Sequence, residues 1–377
     1  MGSALLVLNA GSSSIKAALF DAAAGPQAAP TLLWSEQRSW SLEAETGANL
    51  EQRVAQYLEA WLPTALEPWL AAVTLVGHRL VHGGEHLKGA TQLNASARTE
   101  LAALATLAPL HNAAALAAAT WVERWLEVRQ PAVSQWACFD TAFHSTLPPE
   151  QYTYALPQAW RQQGLRRYGF HGLNHQHVAE TVAAIACEEG ASDAQLSQQR
   201  LISCHLGAGC SLCAIHGGRS MATTMGLTPL EGLVMATRSG SVDPGLLLHQ
   251  LQQGVSAAEL SETLQRRSGL LGLSGLSADM RELRQAAADG HGGAQLAIDV
   301  FTARLLEGLG AMAAVLQGVD VIALSGGIGE HDETLAQSLH HRLQWLGPFR
   351  LLQIPADEEG QIARQCLAAA AVQEQLG

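Results

Sequence analysis

Two stretches of this chain share one pattern of hydrophobic and polar positions. In LVLNAGSSSIKAALF (6–20) an apolar, strand-like run ends at the polar Asn9, passes through Gly11 and three serines, and resumes around Lys16. In LISCHLGAGCSLCAI (201–215) an apolar run reaches His205, turns through Gly207 and Gly209, and returns as a second apolar run. Each predicts two strands joined by a tight turn, with glycine permitting the sharp backbone path. A third glycine turn, SGGIGE (325–330), follows the apolar run VDVIAL and ends at Glu330. The two hairpin-like patterns predict two sheet domains of common design, each aiming a turn into a shared cleft.

Helical patterns fill the intervals. The Ala/Leu-rich stretch 97–128 is broken by Pro109, which predicts two helices with the Leu-His-Asn turn between them. LNHQHVAETVAAIACEEG reads as a helix stopping at Gly190, and the polar ASDAQLSQQR as a connector to the second hairpin. PGLLLHQLQQG and SAAELSETLQRRSG read as short helices with glycine stops, and 294–316 as a long helix leading into a core strand. Residues 21–30 read as a turn or loop. Strand and helix tracts alternating in this way predict α/β layers.

A chain of 377 residues with 48% hydrophobic and 15% charged positions is long enough for two or three domains. Its net charge of −12 argues against a nucleic-acid or anionic-membrane partner, and requires any phosphate site to bring its own Arg, Lys or metal. The N-terminus enters directly on a strand pattern without a basic segment, so no secretory signal is expected. Apolar tracts such as 308–324 are interrupted by Gln317 and Asp320 and read as core, not as a membrane span. Six cysteines do not make a disulfide framework in a chain this long, and a reduced cytoplasmic location is expected. Cys210 and Cys213 form an isolated CxxC, but residues three apart on a strand point to opposite faces, so both read as small buried hydrophobes and not as zinc ligands.

Polar residues then concentrate in otherwise apolar surroundings. VGHRLVHGGEH carries Arg79, CFDTAFHSTLP carries Asp140 and His144, RRYGFHGLNHQHV carries Arg166, Arg167, His171, His175 and His177, and TPLEGLVMATRSGSVDPG carries Glu231, Arg238 and Asp243. Together with Lys16 in its serine-rich loop, these supply arginine forks, a carboxylate able to hold Mg2+ and histidine donors, which is an inventory for phosphoryl transfer. When the acceptor is already a carboxylate no general base is required, and the task becomes positioning and charge compensation.

The motifs LNAGSSSIK, GHRLVHGGE, LAPLHN, FDTAFH, RRYGFHG, HLGAGCS, TMGLTPLEGLVMATRSGSVDPG, SADMREL, SGGIGE and PADEEGQIAR run almost from end to end, and with them the sequence closely resembles the acetokinase family of short-chain carboxylate kinases, within the sugar kinase/heat-shock 70/actin superfamily. The resemblance implies an α/β fold of duplicated actin-like ATPase (ribonuclease H-like) domains flanking a central cleft. One domain would span 1–144, completed by a C-terminal helix 360–377, and the other, nucleotide-binding, 145–359. It implies reversible, Mg2+-dependent in-line transfer of the ATP γ-phosphoryl group to acetate, with Mn2+ as an alternative metal, in a cytoplasmic homodimer.

Carried over by motif, Asn9, Arg79, His111, Asp140, His171 and Arg238 are implied as catalytic, and Asn9, Asp140 and Glu358 as the metal set. Arg79, Val81, Leu110, Phe170 and Pro229 would receive the acid. Ser12, Ser14, Lys16, His205, Gly207, Ala208, Gly209, Asp279, Met280, Arg281, Gly326, Gly327, Ile328 and His331 would line the nucleotide. The chain departs from the family at Ala208 and His331, where asparagines are usual, at Ala222, where an aspartate is common, and at Ala113, where a proline is common. The first two leave GTP or pyrophosphate open as alternative phosphoryl donors. Propionate is open as an alternative acid, because one methylene changes binding by only about 1–3 kcal/mol. A non-catalytic nucleotide-binding protein is the reading from another class, and it would require lost arginines or carboxylates that this chain retains.

Overall fold

A computed structural model of the chain describes residues 3–11, 14–22, 30–40, 42, 47–104, 111–127, 129–130 and 133–376. The chain divides into two units, one formed by Met1–Phe143 with Asp357–Gly377 and the other by His144–Ala356.

The first unit holds a six-stranded sheet: β1 (Ala4–Ala10), β2 (Ser14–Asp21), β3 (Thr31–Ser39), β4 (Val73–Leu80), β5 (Thr91–Gln92) and β6 (Ser134–Phe139), in the order β3-β2-β1-β4-β6-β5. The second unit holds β7 (Arg200–Leu206), β8 (Cys210–His216), β9 (Arg219–Thr223), β10 (Val321–Ser325) and β11 (Arg350–Gln353), in the order β11-β10-β7-β8-β9. In each, an antiparallel meander of three strands (β1–β3, β7–β9) is extended by two strands parallel to its first (β4 and β6, β10 and β11). The similarity of the two glycine-turn tracts therefore reflects one topology used twice.

β1 is buried at every position because helices pack on the sheet around it. Its period-2 alternation separates two environments. Leu6, Leu8 and Ala10 enter a core with Val54, Leu58, Trp121 and Val122. The intervening positions face the C-terminal helix Glu358–Leu376, which packs on β1, β4 and β6. Gly77 on β4 lies under that helix, and a methyl group there would sit 2.8 Å from Ile362 Cγ2 and 2.9 Å from Cys366 Sγ. Cys138 on β6 lies 3.6 Å from Cys366, sulfur to sulfur. Two residues beyond Val7, Gly77 and Cys138, on the same face, come Asn9, Arg79 and Asp140. Simple alternation on three adjacent parallel strands thus delivers three polar side chains to one end of the sheet, beside the start of the C-terminal helix.

Among the helical expectations, Ala95–Ala103, His111–Glu127, Gly172–Glu188, Pro244–Gln252, Ala257–Arg266 and Gly292–Leu316 are helices. The break at Pro109 and most of the 21–30 loop lie outside the described residues. The polar connector 191–200 differs from expectation, since it contains a helix, Asp193–Gln198, closed by a capping box between Ser192 and Gln195. Among the described residues no helix is long and apolar enough to cross a membrane.

Several histidines are part of the packing. Burial lowers His78, which is hydrogen-bonded to Gln135 Oε1 at 2.6 Å, to a pKa of about 4, and it does the same to His82 and to His144. The unfolded chain takes up protons at these side chains near pH 6.5 while the folded chain resists until about pH 4. Their contribution is therefore complete above the unfolded value and is lost as pH falls through that interval. Urea midpoints are expected to drop between pH 6.5 and 5 and to drop less in His78→Gln. A flat midpoint over that range would remove these histidines as the cause.

Candidate active site

The first unit gathers Asn9, Lys16, Arg79, Asp140 and Glu358 into one network. The turn after β1 is tight: Gly11 N–H donates to the Ser14 carbonyl (2.8 Å), and Trp40 Nε1 donates to the Gly11 carbonyl (3.0 Å). The antiparallel register sets Lys16 opposite Asn9. Arg79 forks onto Asp140, with Nε to Oδ1 at 2.9 Å and Nη2 to Oδ2 at 2.6 Å, and its Nη1 donates to Asn9 Oδ1 at 3.1 Å. The same Nη1 lies 3.6 Å from Glu358. The Asn9 amide donates to Glu358 (3.1 Å) and to Glu359 (2.7 Å), and Lys16 Nζ is 3.6 Å from Glu359. Burial works against the Arg79 charge, but Asp140, Glu358 and Glu359 outweigh it and raise its pKa above the ordinary arginine value.

Among the described residues, Asp140, Glu358 and Glu359 bring carboxylate oxygens against Arg79 and Lys16 in a partly desolvated place. Glu359 was not among the sequence candidates. Its signal was the run Asp357-Glu358-Glu359 opening a helix, where acidic side chains are favoured by the helix dipole.

Val81 and Asn112 extend this end of the sheet. Asn112 Oδ1 accepts from the N–H groups of Val81 (3.0 Å) and His82 (3.1 Å), and its amide donates to the His82 carbonyl (2.8 Å). This clamp fixes the chain just past Arg79, and Val81 is buried. His111 begins the helix that carries Asn112, but its side chain lies outside the described residues, as do Ser12 and Leu110. Ser14 is the first residue of β2 and contributes its carbonyl to the turn.

In the second unit His171 occupies the left-handed region (φ 56°) at the start of the helix Gly172–Glu188. That conformation is uncommon for a residue with a β-carbon, and it persists where surroundings over-determine it. Its Nδ1 lies 2.9 Å from Ser211 Oγ, and its ring centroid is 4.2 Å from that of His205. A methyl group at Gly209 would sit 3.1 Å from His171 Cε1 and Nε2 and 3.6 Å from Arg238 Nη1, so glycine lets the turn approach both side chains. Arg238 Nη1 donates to the Pro229 carbonyl (3.2 Å) and lies 3.9 Å from Met235 Sδ. Phe170 is fully buried, its carbonyl 3.0 Å from His144 Nε2.

The segment between Thr223 and Arg238 is held from one side. Arg167 donates to the carbonyls of Thr223, Thr224 and Met225 and pairs with Glu231 at 2.6 Å, while Tyr154 donates to the same carboxylate at 2.5 Å. Arg167 and Glu231, read from sequence among the polar candidates, are therefore struts for the loop that carries Pro229 and Arg238.

The two glycine turns of this unit lie together: a methyl group at Gly207 would come within 4.0 Å of Gly327 N. Ala208 is exposed at the tip of the β7–β8 turn. Gly326–His331 is a one-turn helix whose first N–H donates to Glu330 (2.8 Å), with Gly327 and His331 exposed and Ile328 half-buried. Asp279 caps the helix Met280–Ala288, accepting from Arg281 N (2.8 Å). The Arg281 guanidinium, bonded to its side chain, brings its pKa down to about 2. Met280 is buried, and Arg284 ties this helix to Asp332, the residue after His331, at 2.9 Å. Cys210 and Cys213 are buried with thiols pushed up to about 12 by burial, the first directed at the Gly207 carbonyl and the second at Ser220.

Sequence and fold comparisons identify the relatives of this chain. The model of the acetokinase family matches residues 4–367. An acetate kinase of Synechococcus sp. strain JA-2-3B'a(2-13) is 41% identical over 404 residues, covering 96% of this chain and 98% of that protein. The crystal structure of Porphyromonas gingivalis acetate kinase superimposes with a TM-score of 0.82 at 30% identity, over 98% of this chain and 100% of that one. That of a propionate kinase from Francisella tularensis superimposes with a TM-score of 0.80 at 31% identity, over 96% and 98%. With the family match running almost from end to end and both units carrying their polar sets at the strand ends, this chain belongs to the acetokinase family.

Proposed function

We propose that the chain catalyses reversible transfer of the γ-phosphoryl group of ATP to acetate, giving acetyl phosphate and ADP. The observation that carries this reading is the Asn9–Arg79–Asp140–Glu358 network at the carboxyl ends of three adjacent parallel strands, where open α/β sheets bind ligands. An acetate oxygen attacks the γ-phosphorus, a new P–O bond forms, and the bond to the β,γ-bridging oxygen breaks with its electron pair leaving on ADP. Acetate is already ionised, so no proton need be removed from it. The residues serve to hold two anions together and to compensate charge spreading over the equatorial oxygens. Arg79 and Arg238 offer planar forks suited to those oxygens. His171, beside Arg238 and Gly209, offers an N–H, with His111 as a second donor.

Asn9, Asp140 and Glu358 supply only hard oxygen donors, which suits Mg2+ and also Mn2+. Among the described residues no group of three or more His, Cys, Asp or Glu side chains is set to hold a metal ion. When bound, the ion neutralises polyphosphate charge.

For the nucleotide we assign Ser12, Ser14 and Lys16 of the first turn, His205, Gly207, Ala208 and Gly209 of the second, Gly326, Gly327, Ile328 and His331 of the third, and Asp279, Met280 and Arg281. Val81, Leu110, Phe170 and Pro229 would take the methyl group of the acid. The propionate kinase among the similar structures keeps propionate as the second reading. The boundaries 1–144 with 360–377, and 145–359, would separate the two functional domains. The outward Leu246, Leu248 and Leu251 of the helix Pro244–Gln252 favour a homodimer, and six free cysteines a reducing, cytoplasmic setting.

The test is steady-state transfer by the purified, sedimented protein with Mg2+, crossing acetate, propionate and butyrate against ATP, GTP and pyrophosphate. Acetate with ATP is expected to give the highest kcat/KM. Preference for another acid or donor would rename the enzyme within its family, and no transfer in any combination would overturn the reading.

A further inference from the structure

Ser211 lies inside β8, fully buried, between two imidazoles. Its Oγ is 2.9 Å from His171 Nδ1 and 2.8 Å from His175 Nε2, and on the far side of His175, Nδ1 is 2.8 Å from Ser203 Oγ. Ser203 and His175 are also fully buried. Three hydrogen bonds therefore connect four side chains in a line that ends at His171.

The protons in this line can be placed by counting. A serine hydroxyl has one proton to donate, and a neutral imidazole has one donor nitrogen and one acceptor nitrogen. His175 is neutral, since burial, and after it His144 and His205, drive its pKa well below the ordinary histidine value. Among the described residues Ser203 Oγ has a single hydrogen-bond partner, His175 Nδ1. A buried hydroxyl proton left without an acceptor is costly, so Ser203 donates to Nδ1. His175 must then carry its proton on Nε2 and donate to Ser211. The one proton of Ser211 is left for His171 Nδ1, and whenever the His171 ring is neutral its own proton then lies on Nε2, the edge turned toward Gly209 and Arg238.

We propose that Ser211 is a positioning residue, the last link of a buried donor line Ser203–His175–Ser211–His171 that holds the His171 proton on Nε2. An imidazole fixed this way presents a donor, and not a lone pair, to an anionic phosphoryl group. The consequence for the reaction rests on the role proposed above for His171, whereas the proton placement does not.

The test uses the full chain with 15N-labelled histidine, observed where His171 is neutral and assigned with His171→Asn. The wild-type protein is expected to show His171 with a bare Nδ1 and a protonated Nε2, and the reverse pattern would overturn the proposal. Ser203→Ala removes the first donor and leaves Ser211 in place; it is expected to mix the two His171 tautomers, and an unmixed Nε2–H form would count against the line. Ser211→Ala is expected to lower kcat by about 10- to 100-fold, with both KM values within roughly twofold and Ser211→Thr restoring most of the rate. Unchanged kcat with unchanged imidazole signals would overturn it. Undiminished kcat in His171→Ala would instead remove the catalytic role of His171, while the wild-type imidazole signals still decide the proton placement.

Discussion

Replacing Arg79 with alanine is expected to lower kcat/KM by about 10³-fold or more and, in the same protein, to lower the unfolding midpoint. The first effect follows from the fork: a planar guanidinium is removed from the place where the transferring oxygens gather charge. The second follows from what the fork leaves behind. Asp140 is only 2% exposed and receives two of the Arg79 hydrogen bonds, and Glu358 and Asn9 share the third nitrogen. Breaking a buried pair from one side strands a charge, at a cost of about 3–5 kcal/mol. Arg79→Lys separates the two effects: it restores a cation and hence part of the stability, but one ammonium cannot reproduce the bidentate geometry, and activity is expected to stay low. Urea midpoints and steady-state rates on both variants check this. A near-normal kcat in Arg79→Ala would remove the residue from the reaction.

The sequence made some parts of this arrangement legible and concealed others for identifiable reasons. The strand pairs around Gly11 and around Gly207–Gly209 were visible because each joins two apolar runs through residues that only a turn accommodates. Asn9, Arg79 and Asp140 stood out as polar residues at the ends of apolar strands. Their convergence on one face, however, comes from the alternation of Val7, Gly77 and Cys138 against a helix more than two hundred residues away in the chain. Glu359 was hidden by its neighbour, since nothing in the pair Glu358-Glu359 says which carboxylate meets Asn9, and both do. Ser211 was hidden by its surroundings: between Cys210 and Leu212 it reads as a small core residue, and its two imidazole partners come from a helix more than thirty residues earlier. Arg167 was misleading in the opposite sense, because a guanidinium beside a glycine turn suggests an anion and here holds three carbonyls and Glu231. The helix Asp193–Gln198 carried its signal openly in Ser192 and Gln195, which a reading weighted towards hydrophobic periodicity passes over.

Arg238→Ala is expected to lose about 10²- to 10³-fold in kcat while the unfolding midpoint moves little. It donates to the Pro229 carbonyl and lies beside the Met235 thioether, neither of which becomes a buried charge when the guanidinium goes. The loop that carries it is fixed independently by Arg167, Tyr154 and Glu231. Arg238 and Arg79 thus form a contrasting pair, with similar consequences for rate and different consequences for folding. If the two forks act as one unit on the transferring oxygens, so that each positions the group for the other, their effects on rate fall short of additive. The double variant is therefore expected to be slower than either single variant by much less than the product of the two losses, while its stability stays close to that of Arg79→Ala. Rates that multiplied in full would mean that the two arginines contribute independently of each other and not as one unit, and a fall in stability with Arg238→Ala as large as with Arg79→Ala would mean that Arg238 is a strut.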